Sequence, residues 1–322
     1  MKTILVHGVR EEFEVSRIAF GTGSALKGLE KEQFFVLFDL FEAHGGTVID
    51  TAPGYCGGKS EQYIGEWMQR KDNRKRIHIS TKACHAFPGE PSRLTEKDML
   101  EDLSLSLRQL QTDYIDILWL HNDDPSVPVQ QIMDAVQAVV ETGKVRAIGC
   151  SNWATDRIEQ ANGYAQRSGQ TCFFANQIQM SLAQPSDAYR ERYNVRSMDE
   201  ESYRWYLEHG LSVFAFSAMA QGFFSIAASQ GIAALPPETA SYFSSIKNLI
   251  RLRRVQEYME KHHVSATVPV LGYVMGNRLP AVAIMSTTKT GNLEEIMRAA
   301  EADFTEEDAD ALFRVTEKEE MP

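Results

Sequence analysis

Residues 47–70 read "TVIDTAPGYCGGKSEQYIGEWMQR" and contain one complete unit of the pattern that decides the fold. A short apolar run ends at Asp50 and leads into a glycine-rich loop. The following segment, "SEQYIGEWMQR", has apolar residues at the three- and four-residue spacing of an amphipathic helix. This stretch therefore predicts a buried strand followed by a helix.

The same strand-helix unit recurs along the chain. A short apolar run precedes a segment of helical period at residues 17–21, 47–50, 77–82, 114–121, 145–152, 172–177, 211–217 and 281–286. Apolar strands between amphipathic helices indicate a parallel sheet covered by helices, and eight such units predict closure into a (β/α)8 TIM barrel. A doubly wound open sheet is the competing interpretation, but no GxGxxG motif follows an early strand.

Two segments lie outside the repeat. Residues 1–16 are expected to form a hairpin that closes the bottom of the barrel. Residues 222–263 form a long insertion after the seventh strand, and long loops at such positions often act as lids or binding loops. Because barrels of this length commonly form one unit, we expect a single domain over residues 1–322.

Composition and charge argue against several classes of function. The net charge of −11 and the pI near 5.3 disfavour non-specific binding of nucleic acid. The N-terminal apolar run is too short for a secretory signal and no segment approaches a membrane span, so we expect no membrane partner and predict a cytoplasmic location. The four cysteines contain no CxxC pair, which indicates neither a disulfide framework nor a zinc site.

In a barrel of this kind the active site lies at the C-terminal ends of the strands. Most residues at the predicted strand ends are polar. They are Gly21, Thr22, Asp50, Lys82, His121, Ser151, Asn152, Gln177, Phe216, Ser217, Ser286, Thr287, Thr288 and Lys289, with Tyr55 just beyond Asp50. These side chains are expected to meet at one end of the barrel.

Six segments of the chain carry a resemblance to a known family. They are "IDTAPGYCGGKSEQYIG", "ISTKA", "YIDILWLHNDDP", "VRAIGCSNW", "ANQIQMSL" and "FSAMAQG". In this order they resemble the aldo-keto reductase superfamily over essentially the whole chain. The resemblance implies an NAD(P)-dependent oxidoreductase that interconverts an aldehyde, ketone or sugar carbonyl with its alcohol. The polar loop "HNDDPSVP" and the absence of a bulky residue at Gly23 slightly favour a polar or sugar-like substrate. The identity of the small-molecule substrate, the physiological direction and the oligomeric state stay open.

Four of the strand-end residues suit this chemistry. Carbonyl reduction needs a hydride donor on one face and a proton donor near the oxygen as negative charge develops there. Tyr55 is the predicted proton donor; a free phenol has a pKa of about 10, so Lys82 is predicted to stabilise the phenolate. Asp50 would hold Lys82 by an ion pair, and His121 would orient the substrate oxygen. The resemblance assigns these four positions to the family's catalytic tetrad.

The resemblance also implies contacts to a nicotinamide cofactor. The ring would stack on Phe216, which replaces the tyrosine most often found there, and Ser151, Asn152 and Gln177 would hold the carboxamide. The stretch "AIMSTTKTGNLEEIMRAA" matches the family's phosphate-binding segment, which leads into a helix N-terminus. The remaining predicted cofactor contacts are Ser286, Thr287, Thr288, Lys289, Asn292 and Glu295, joined by Gly21, Thr22 and Ser217.

The chain departs from the family pattern at several of these positions. Asn292 stands where an arginine often binds the 2′-phosphate, and an arginine is the strong way to bind phosphate. The absence of this arginine weakens the case for NADP, and Lys289 partly restores it. NADP is the predicted cofactor, and NAD is possible because Asn292 replaces the arginine. On the substrate side, Cys56 replaces a common glycine after Tyr55, and Gly23 stands where many members have a bulky residue. Whether Cys56 is redox-active stays open.

Two other functions remain open. One is a Schiff-base aldolase on the same barrel, with Lys82 as the nucleophile. The neighbouring Asp50 disfavours it, because a carboxylate favours the charged form of the lysine. The other is a nucleotide-binding, redox-sensing module that resembles the potassium-channel β-subunits of this superfamily, which an intact tetrad does not exclude.

Overall fold

The computed structural model describes residues 1–23, 26–85 and 92–316. It begins with an antiparallel hairpin of β1 (Thr3–His7) and β2 (Glu12–Ser16), followed by eight parallel strands in a closed barrel. The barrel strands are β3 (Ile18–Gly21), β4 (Val48–Asp50), β5 (His78–Ala83), β6 (Ile115–Leu120), β7 (Val145–Ser151), β8 (Ala175–Gln179), β9 (Ser212–Phe216) and β10 (Ala281–Met285). Because β10 pairs with both β9 and β3, the ring is closed and the predicted (β/α)8 barrel is confirmed.

Seven of the predicted strands agree with the observed ones to within one residue at each end, and β8 does not. The sequence pattern places this strand at residues 172–177, whereas it runs from Ala175 to Gln179. The side chain of Asn162 explains the late start. Its amide accepts a hydrogen bond from the backbone N–H of Phe173 and donates one to the carbonyl oxygen of the same residue. These backbone groups are therefore not used for strand pairing.

The helices on the outside of the barrel follow the predicted repeat. They are α1 (Lys31–Ala43), α2 (Lys59–Lys71), α3 (Glu96–Gln109), α4 (Val129–Glu141), α5 (Thr155–Ser168), α6 (Asp187–Tyr193), α7 (Glu200–His209), α8 (Phe223–Gln230), α9 (Pro237–Phe243), α10 (Ile246–His262), α11 (Thr267–Gly276), α12 (Thr290–Ala299) and α13 (Glu306–Phe313). The sequence pattern did not predict α6 or α13. Within the ranges that the structure describes, no helix combines the length and apolar character required to span a membrane.

The insertion expected at residues 222–263 is helical and consists of α8, α9 and α10. Its aromatic side chains are turned inward: Phe223 and Phe243 are fully buried and their rings lie 6.1 Å apart. Burial of such side chains stabilises the packed arrangement by roughly 1.5–3 kcal/mol each. The insertion is therefore a packed wall of the molecule.

The hairpin expected at residues 1–16 covers the N-terminal end of the barrel. Val6 and Val15 are fully buried. The Phe13 ring stacks on His78, the first residue of β5, with 5.3 Å between ring centroids. The guanidinium of Arg146, near the start of β7, lies over the Phe13 ring, 4.0 Å from its centroid. This end of the barrel is closed to solvent.

Trp119 occupies the centre of the barrel. The residue is fully buried, and its ring packs against Phe174 and Phe214 with centroid separations of 5.6 and 4.9 Å. Gly149 on the neighbouring strand β7 makes room for it, since a Cβ atom at that position would lie 2.4 Å from the Trp119 ring. The packing fixes this indole one residue before Leu120, the last residue of β6.

Candidate active site

A cavity of about 1380 Å³ opens at the C-terminal end of the barrel. Its walls are formed by strand ends and by the helical insertion after β9. The predicted site residues that line it are Gly21, Asp50, Tyr55, Lys82, His121, Ser151, Asn152, Gln177, Phe216, Ser217, Ser286, Thr287, Lys289, Asn292 and Glu295. The barrel thus brings residues from distant parts of the chain to one space, because parallel strands all end at the same face.

The floor of the cavity contains a buried ion pair. Asp50, the last residue of β4, accepts a 2.7 Å hydrogen bond from Nζ of Lys82 on the adjacent strand β5. Lys82 also donates to the carbonyl oxygen of Thr51 at 2.9 Å. Burial by itself lowers the pKa of Lys82, but Asp50 and Tyr55 outweigh burial and the net change is upward. Lys82 is therefore held as a cation.

Tyr55 lies in a tight turn directly after β4. The residue opens a short 3-10 turn, Tyr55–Gly58, and its backbone N–H donates to the carbonyl oxygen of Ala52. The next residue, Cys56, has a left-handed backbone with a φ of 53°. A non-glycine residue in this region is strained by about 1–3 kcal/mol, and such residues cluster at ligand-binding loops. The turn brings the Tyr55 ring within 4.9 Å of Nζ of Lys82.

The protonation state of Tyr55 is set mainly by burial. From the sequence, Lys82 is predicted to ease formation of the phenolate. Burial is the largest influence and raises the pKa of Tyr55, Lys82 lowers it, and Asp50 raises it, so that the net change is upward. The expected effect of Lys82 is present but is outweighed. At neutral pH Tyr55 therefore carries its proton.

His121 directly follows β6 and faces Tyr55. Its backbone N–H donates to the carbonyl oxygen of Ala83, and its ring centroid lies 6.1 Å from that of Tyr55 and 4.6 Å from that of His85. Burial, followed by the charges of Lys82 and His85, holds the pKa of His121 well below its usual range. A neutral imidazole keeps one N–H donor, so His121 can donate one hydrogen bond without carrying charge.

Ser151, Asn152 and Gln177 form a connected group beside the ion pair. Oγ of Ser151 and the backbone N–H of Asn152 both donate to the carbonyl oxygen of Gln177, each at 3.0 Å. The side-chain amide of Gln177 donates from Nε2 to Oδ2 of Asp50 at 2.8 Å. The residues predicted to hold the carboxamide are therefore linked directly to the ion pair on the cavity floor.

Phe216 and Ser217 form the wall at the end of β9. Phe216 is half-buried and its ring borders the cavity, which suits it for stacking against a flat ligand. Ser217 has a left-handed backbone with a φ of 52°, and its hydroxyl shares a 2.9 Å hydrogen bond with the hydroxyl of Tyr189 on α6. Tyr189 and the nearby Tyr193 extend the same wall with aromatic surface.

The opposite end of the cavity is formed by the segment after β10 and by the first turn of α12. Lys289 is exposed at the helix N-cap and makes no side-chain capping bond there. The free N–H groups of a first helical turn attract anions. Asn292 is exposed on this turn, and Glu295 on the next accepts a 2.6 Å hydrogen bond from Thr267. This end can accept a phosphate group.

Residues 17–317 match the sequence model of the aldo/keto reductase family. The chain belongs to this family. The match covers the barrel strands from β3 to β10, and the recognition based on six motifs is confirmed. Members of the aldo/keto reductase family are oxidoreductases that generally use NAD(P)H.

Curated relatives of this aldo/keto reductase cover most of the chain at modest identity. An aryl-alcohol dehydrogenase of Pestalotiopsis microspora is 27% identical over 294 residues, which are 88% of this chain and 72% of the relative. Norsolorinic acid reductase B of Aspergillus parasiticus is 28% identical over 298 residues, covering 88% and 74%. A probable aldo-keto reductase 1 of Glycine max is 26% identical over 315 residues, covering 94% and 85%. These names support carbonyl oxidoreduction as the class of activity.

Two predicted cofactor contacts of the aldo/keto reductase do not line the cavity. Thr288 lies outside its walls. Thr22 is fully buried; its hydroxyl donates to the carbonyl oxygen of Asp50 at 3.0 Å and accepts from Ser60 at 2.6 Å, so it fixes the loop behind the site. Cys56 donates from Sγ to the carbonyl oxygen of Thr22, and burial raises the pKa of its thiol.

Ser80 and Trp119 also contact the site but are not among the strand-end residues predicted from the sequence. Each lies two residues before a predicted site residue, Ser80 before Lys82 and Trp119 before His121. Side chains two apart on a strand point to the same face, so this spacing is the signal that could have found them.

Within residues 1–23, 26–85 and 92–316, no group of three or more His, Cys, Asp or Glu side chains is arranged to hold a metal ion.

Proposed function

We propose that this aldo/keto reductase transfers hydride between a nicotinamide cofactor and the carbonyl carbon of a small molecule, with Tyr55 exchanging a proton with the substrate oxygen. The observation that carries the proposal is the contact set at the cavity floor, where Lys82 lies 2.7 Å from Asp50 and 4.9 Å from the Tyr55 ring. A cation beside a phenol stabilises the phenolate that proton transfer would leave.

The cavity fits such a cofactor in size and in the chemistry of its walls. Its volume of about 1380 Å³ is larger than the roughly 300–1,000 Å³ of common ligand pockets, so cofactor and substrate have room together. The Phe216 ring offers a stacking surface at one end, and the first turn of α12 offers free N–H groups at the other. When bound, the cofactor would supply or accept a hydride at its nicotinamide ring.

The protein side chains would handle the proton. Tyr55, protonated at neutral pH, would donate to the carbonyl oxygen as that oxygen gains negative charge. Lys82 would stabilise the resulting phenolate, and Asp50 would keep Lys82 charged and in place. The neutral imidazole of His121 would donate a second hydrogen bond that orients the carbonyl. Because its pKa is raised, Tyr55 is in the protonated form that carbonyl reduction requires at neutral pH.

We propose NADP as the preferred cofactor, with NAD also accepted. Lys289 is the basic side chain of this cavity end, because Arg298 on the outer part of α12 is turned towards Glu294 at 3.9 Å. A single lysine attracts a 2′-phosphate but lacks the two-pronged grip of an arginine, and Asn292 adds no charge. Discrimination between the two cofactors is therefore expected to be modest.

An aromatic aldehyde or ketone is the proposed substrate class. Tyr189 and Tyr193 give the cavity an aromatic wall, and two relatives are named for an aryl alcohol and for norsolorinic acid. A Cβ atom at position 23 would lie 3.7 Å from the Tyr55 ring, so a larger residue would cover this ring. Gly23 has no side chain and leaves that face of the ring accessible. A planar ring can therefore reach Tyr55. Sugar carbonyls are the comparison class.

The test is consumption of NADPH, and separately of NADH, with benzaldehydes and sugars in wild type and Tyr55→Phe. We expect the variant to lose roughly 10²–10⁴-fold in kcat while cofactor fluorescence titration shows unchanged binding. Tyr164→Phe is the matched control, because this hydroxyl bonds to Asp134 on the outside of the barrel. Equal rates in Tyr55→Phe and wild type would overturn the proposal.

Two further results would separate the two alternatives. Tight cofactor binding without turnover would favour the redox-sensing module. Borohydride trapping of substrate on Lys82 would favour the Schiff-base aldolase. The aldolase needs a neutral lysine, and the raised pKa of Lys82 beside Asp50 opposes it.

A further inference from the structure

A chain of buried hydrogen bonds leads from the barrel centre to the ion pair. Nε1 of Trp119 donates to Oγ of Ser80 at 2.7 Å, and Oγ of Ser80 donates to Oδ2 of Asp50 at 2.8 Å. The same carboxylate oxygen accepts from Gln177, whereas Oδ1 accepts from Lys82. Trp119 and Ser80 are fully buried and Asp50 is 4% exposed, so water does not compete with these bonds.

The direction of this chain is forced by chemistry. An indole N–H can only donate and an ionised carboxylate can only accept. Ser80 has one hydroxyl proton; since its oxygen accepts from Trp119, that proton is directed to Asp50. Hydrogen bonds in series polarise one another inside a protein. Trp119 therefore strengthens the bond from Ser80 to Asp50 without touching Asp50 itself.

We propose that Trp119 and Ser80 are positioning residues that hold the carboxylate of Asp50 and draw part of its negative charge to Oδ2, away from Lys82. More of the positive charge of Lys82 then acts on Tyr55. This inference rests on the proposed role of Tyr55 as proton donor. Among residues 1–23, 26–85 and 92–316, the charged and titratable groups that face the Tyr55 phenol are Asp50 from β4, Lys82 from β5 and His121 after β6.

Removal of the Ser80 hydroxyl should change the pKa of Tyr55 in one direction. Without it, the charge of Asp50 concentrates on the oxygen that faces Lys82 and cancels more of its positive charge. Lys82 lowers the pKa of Tyr55 and Asp50 raises it, so the pKa of Tyr55 rises in Ser80→Ala. Trp119→Phe keeps an aromatic ring in the barrel centre and removes the indole donor, which predicts a smaller rise in the same direction.

The experiment titrates Tyr55 directly and needs no turnover. The full chain is labelled with 3-fluorotyrosine, whose phenol is more acidic than that of tyrosine, and followed by ¹⁹F NMR against pH. The Tyr55 resonance is the one absent in Tyr55→Phe. We expect its midpoint to move up by roughly half a pH unit in Ser80→Ala and by less in Trp119→Phe. Because Trp119 acts only through Ser80, the double variant should match Ser80→Ala alone.

The matched control is Trp67→Phe. This tryptophan is also buried and also donates its indole N–H to a side chain, Asp39 at 2.8 Å, but on the outside of the barrel. It should lower thermal stability and leave the Tyr55 midpoint at the wild-type value. An unmoved midpoint in folded Ser80→Ala, or additive shifts in the double variant, would overturn the inference.

The pH dependence of alcohol oxidation gives a second readout. The limb that reports the phenolate should move to higher pH in Ser80→Ala. If wild type shows no turnover that depends on Tyr55, the proposed function is wrong. The inference about Trp119, Ser80 and Asp50 is still tested, because the ¹⁹F titration measures their effect on Tyr55 without turnover.

Discussion

The two ends of the barrel each contain a buried carboxylate paired with a cation. At the C-terminal end Asp50 pairs with Lys82. At the N-terminal end Asp116, the second residue of β6, is 1% exposed and pairs with Arg146 at 2.6 Å and Arg74 at 2.8 Å. One end is closed by the hairpin of β1 and β2, and the other opens onto the cavity. A buried ion pair by itself therefore does not define an active site.

The two ends differ in which groups the cation contacts besides its carboxylate partner. Arg74 uses its remaining donors on Thr112, Ile77 and Tyr114 and lies 3.7 Å from the centroid of the Tyr114 ring, so it is fully engaged. Lys82 is a compact cation on a flexible stem, and it reaches a titratable phenol as well as Asp50. Arg74 and Asp116 therefore make only structural contacts, whereas Lys82 also contacts a side chain of the cavity.

The largest expected effect comes from erasing the pair at the open end. Asp50→Asn combined with Lys82→Met removes both charges and so leaves no unpaired buried charge. We expect kcat to fall by roughly 10²–10⁴-fold, since Tyr55 loses the cation beside it, while the unfolding temperature stays close to that of wild type. Steady-state kinetics and a thermal melt check the two statements. Retained turnover would remove the distinction between the two ends.

Breaking the pair at the closed end should have the opposite outcome. Asp116→Asn leaves the partly buried Arg74 without a carboxylate, whereas Arg146 keeps its 3.1 Å pair with Glu11. We expect the free energy of unfolding to fall by about 3 kcal/mol, the low end of the range for a broken buried pair, because both arginines are partly exposed. Turnover per folded molecule should be unchanged, because the cavity is at the other end. Urea unfolding and active-site titration measure both. Glu257→Gln is the control; its exposed pair with Arg253 should contribute less than about 1 kcal/mol.

Glu61 sharpens the comparison, because it is a buried carboxylate without a paired cation. It is fully buried, accepts a 2.6 Å hydrogen bond from Thr81, and forms no ion pair among residues 1–23, 26–85 and 92–316. Burial raises its pKa from 4.5 to about 7. Between these values the unfolded chain releases the proton and the folded protein keeps it. Stability should therefore fall as pH rises through this window, by on the order of 3 kcal/mol.

Urea unfolding at pH 5 and pH 8 checks this in wild type and Glu61→Gln. The neutral amide should remove that part of the fall. Glu66→Gln should keep it, because Glu66 is partly exposed and already paired with Lys31 at 2.7 Å. The same slope in Glu61→Gln and wild type would show that another group controls the pH dependence.

The sequence predicted what depends on local patterns. Asp50, Lys82 and His121 each end or directly follow an apolar run, which is a visible feature of the chain. The direction of the Tyr55 pKa change could not be predicted, because the burial that decides it comes from residues distant in sequence. The bond from Trp119 to Ser80 likewise requires Gly149 on a third strand to admit the indole. The late start of β8 depends on the side chain of Asn162.

The smallest effect is expected from placing an arginine, the cation of the closed end, at the open end of the barrel. Asn292→Arg places an arginine on the exposed first turn of α12, beside Lys289, where a 2′-phosphate would lie. A bidentate contact to phosphate is stronger than a point charge, so we expect Kd for NADPH to fall by roughly tenfold while Kd for NADH is unchanged. Asn292→Gln lengthens the side chain without charge and should alter neither. Fluorescence titration with both cofactors decides. Equal changes for NADPH and NADH would show that the 2′-phosphate does not contact residue 292. The helix N-terminus of α12, and not side-chain charge, would then account for phosphate binding at this end of the cavity.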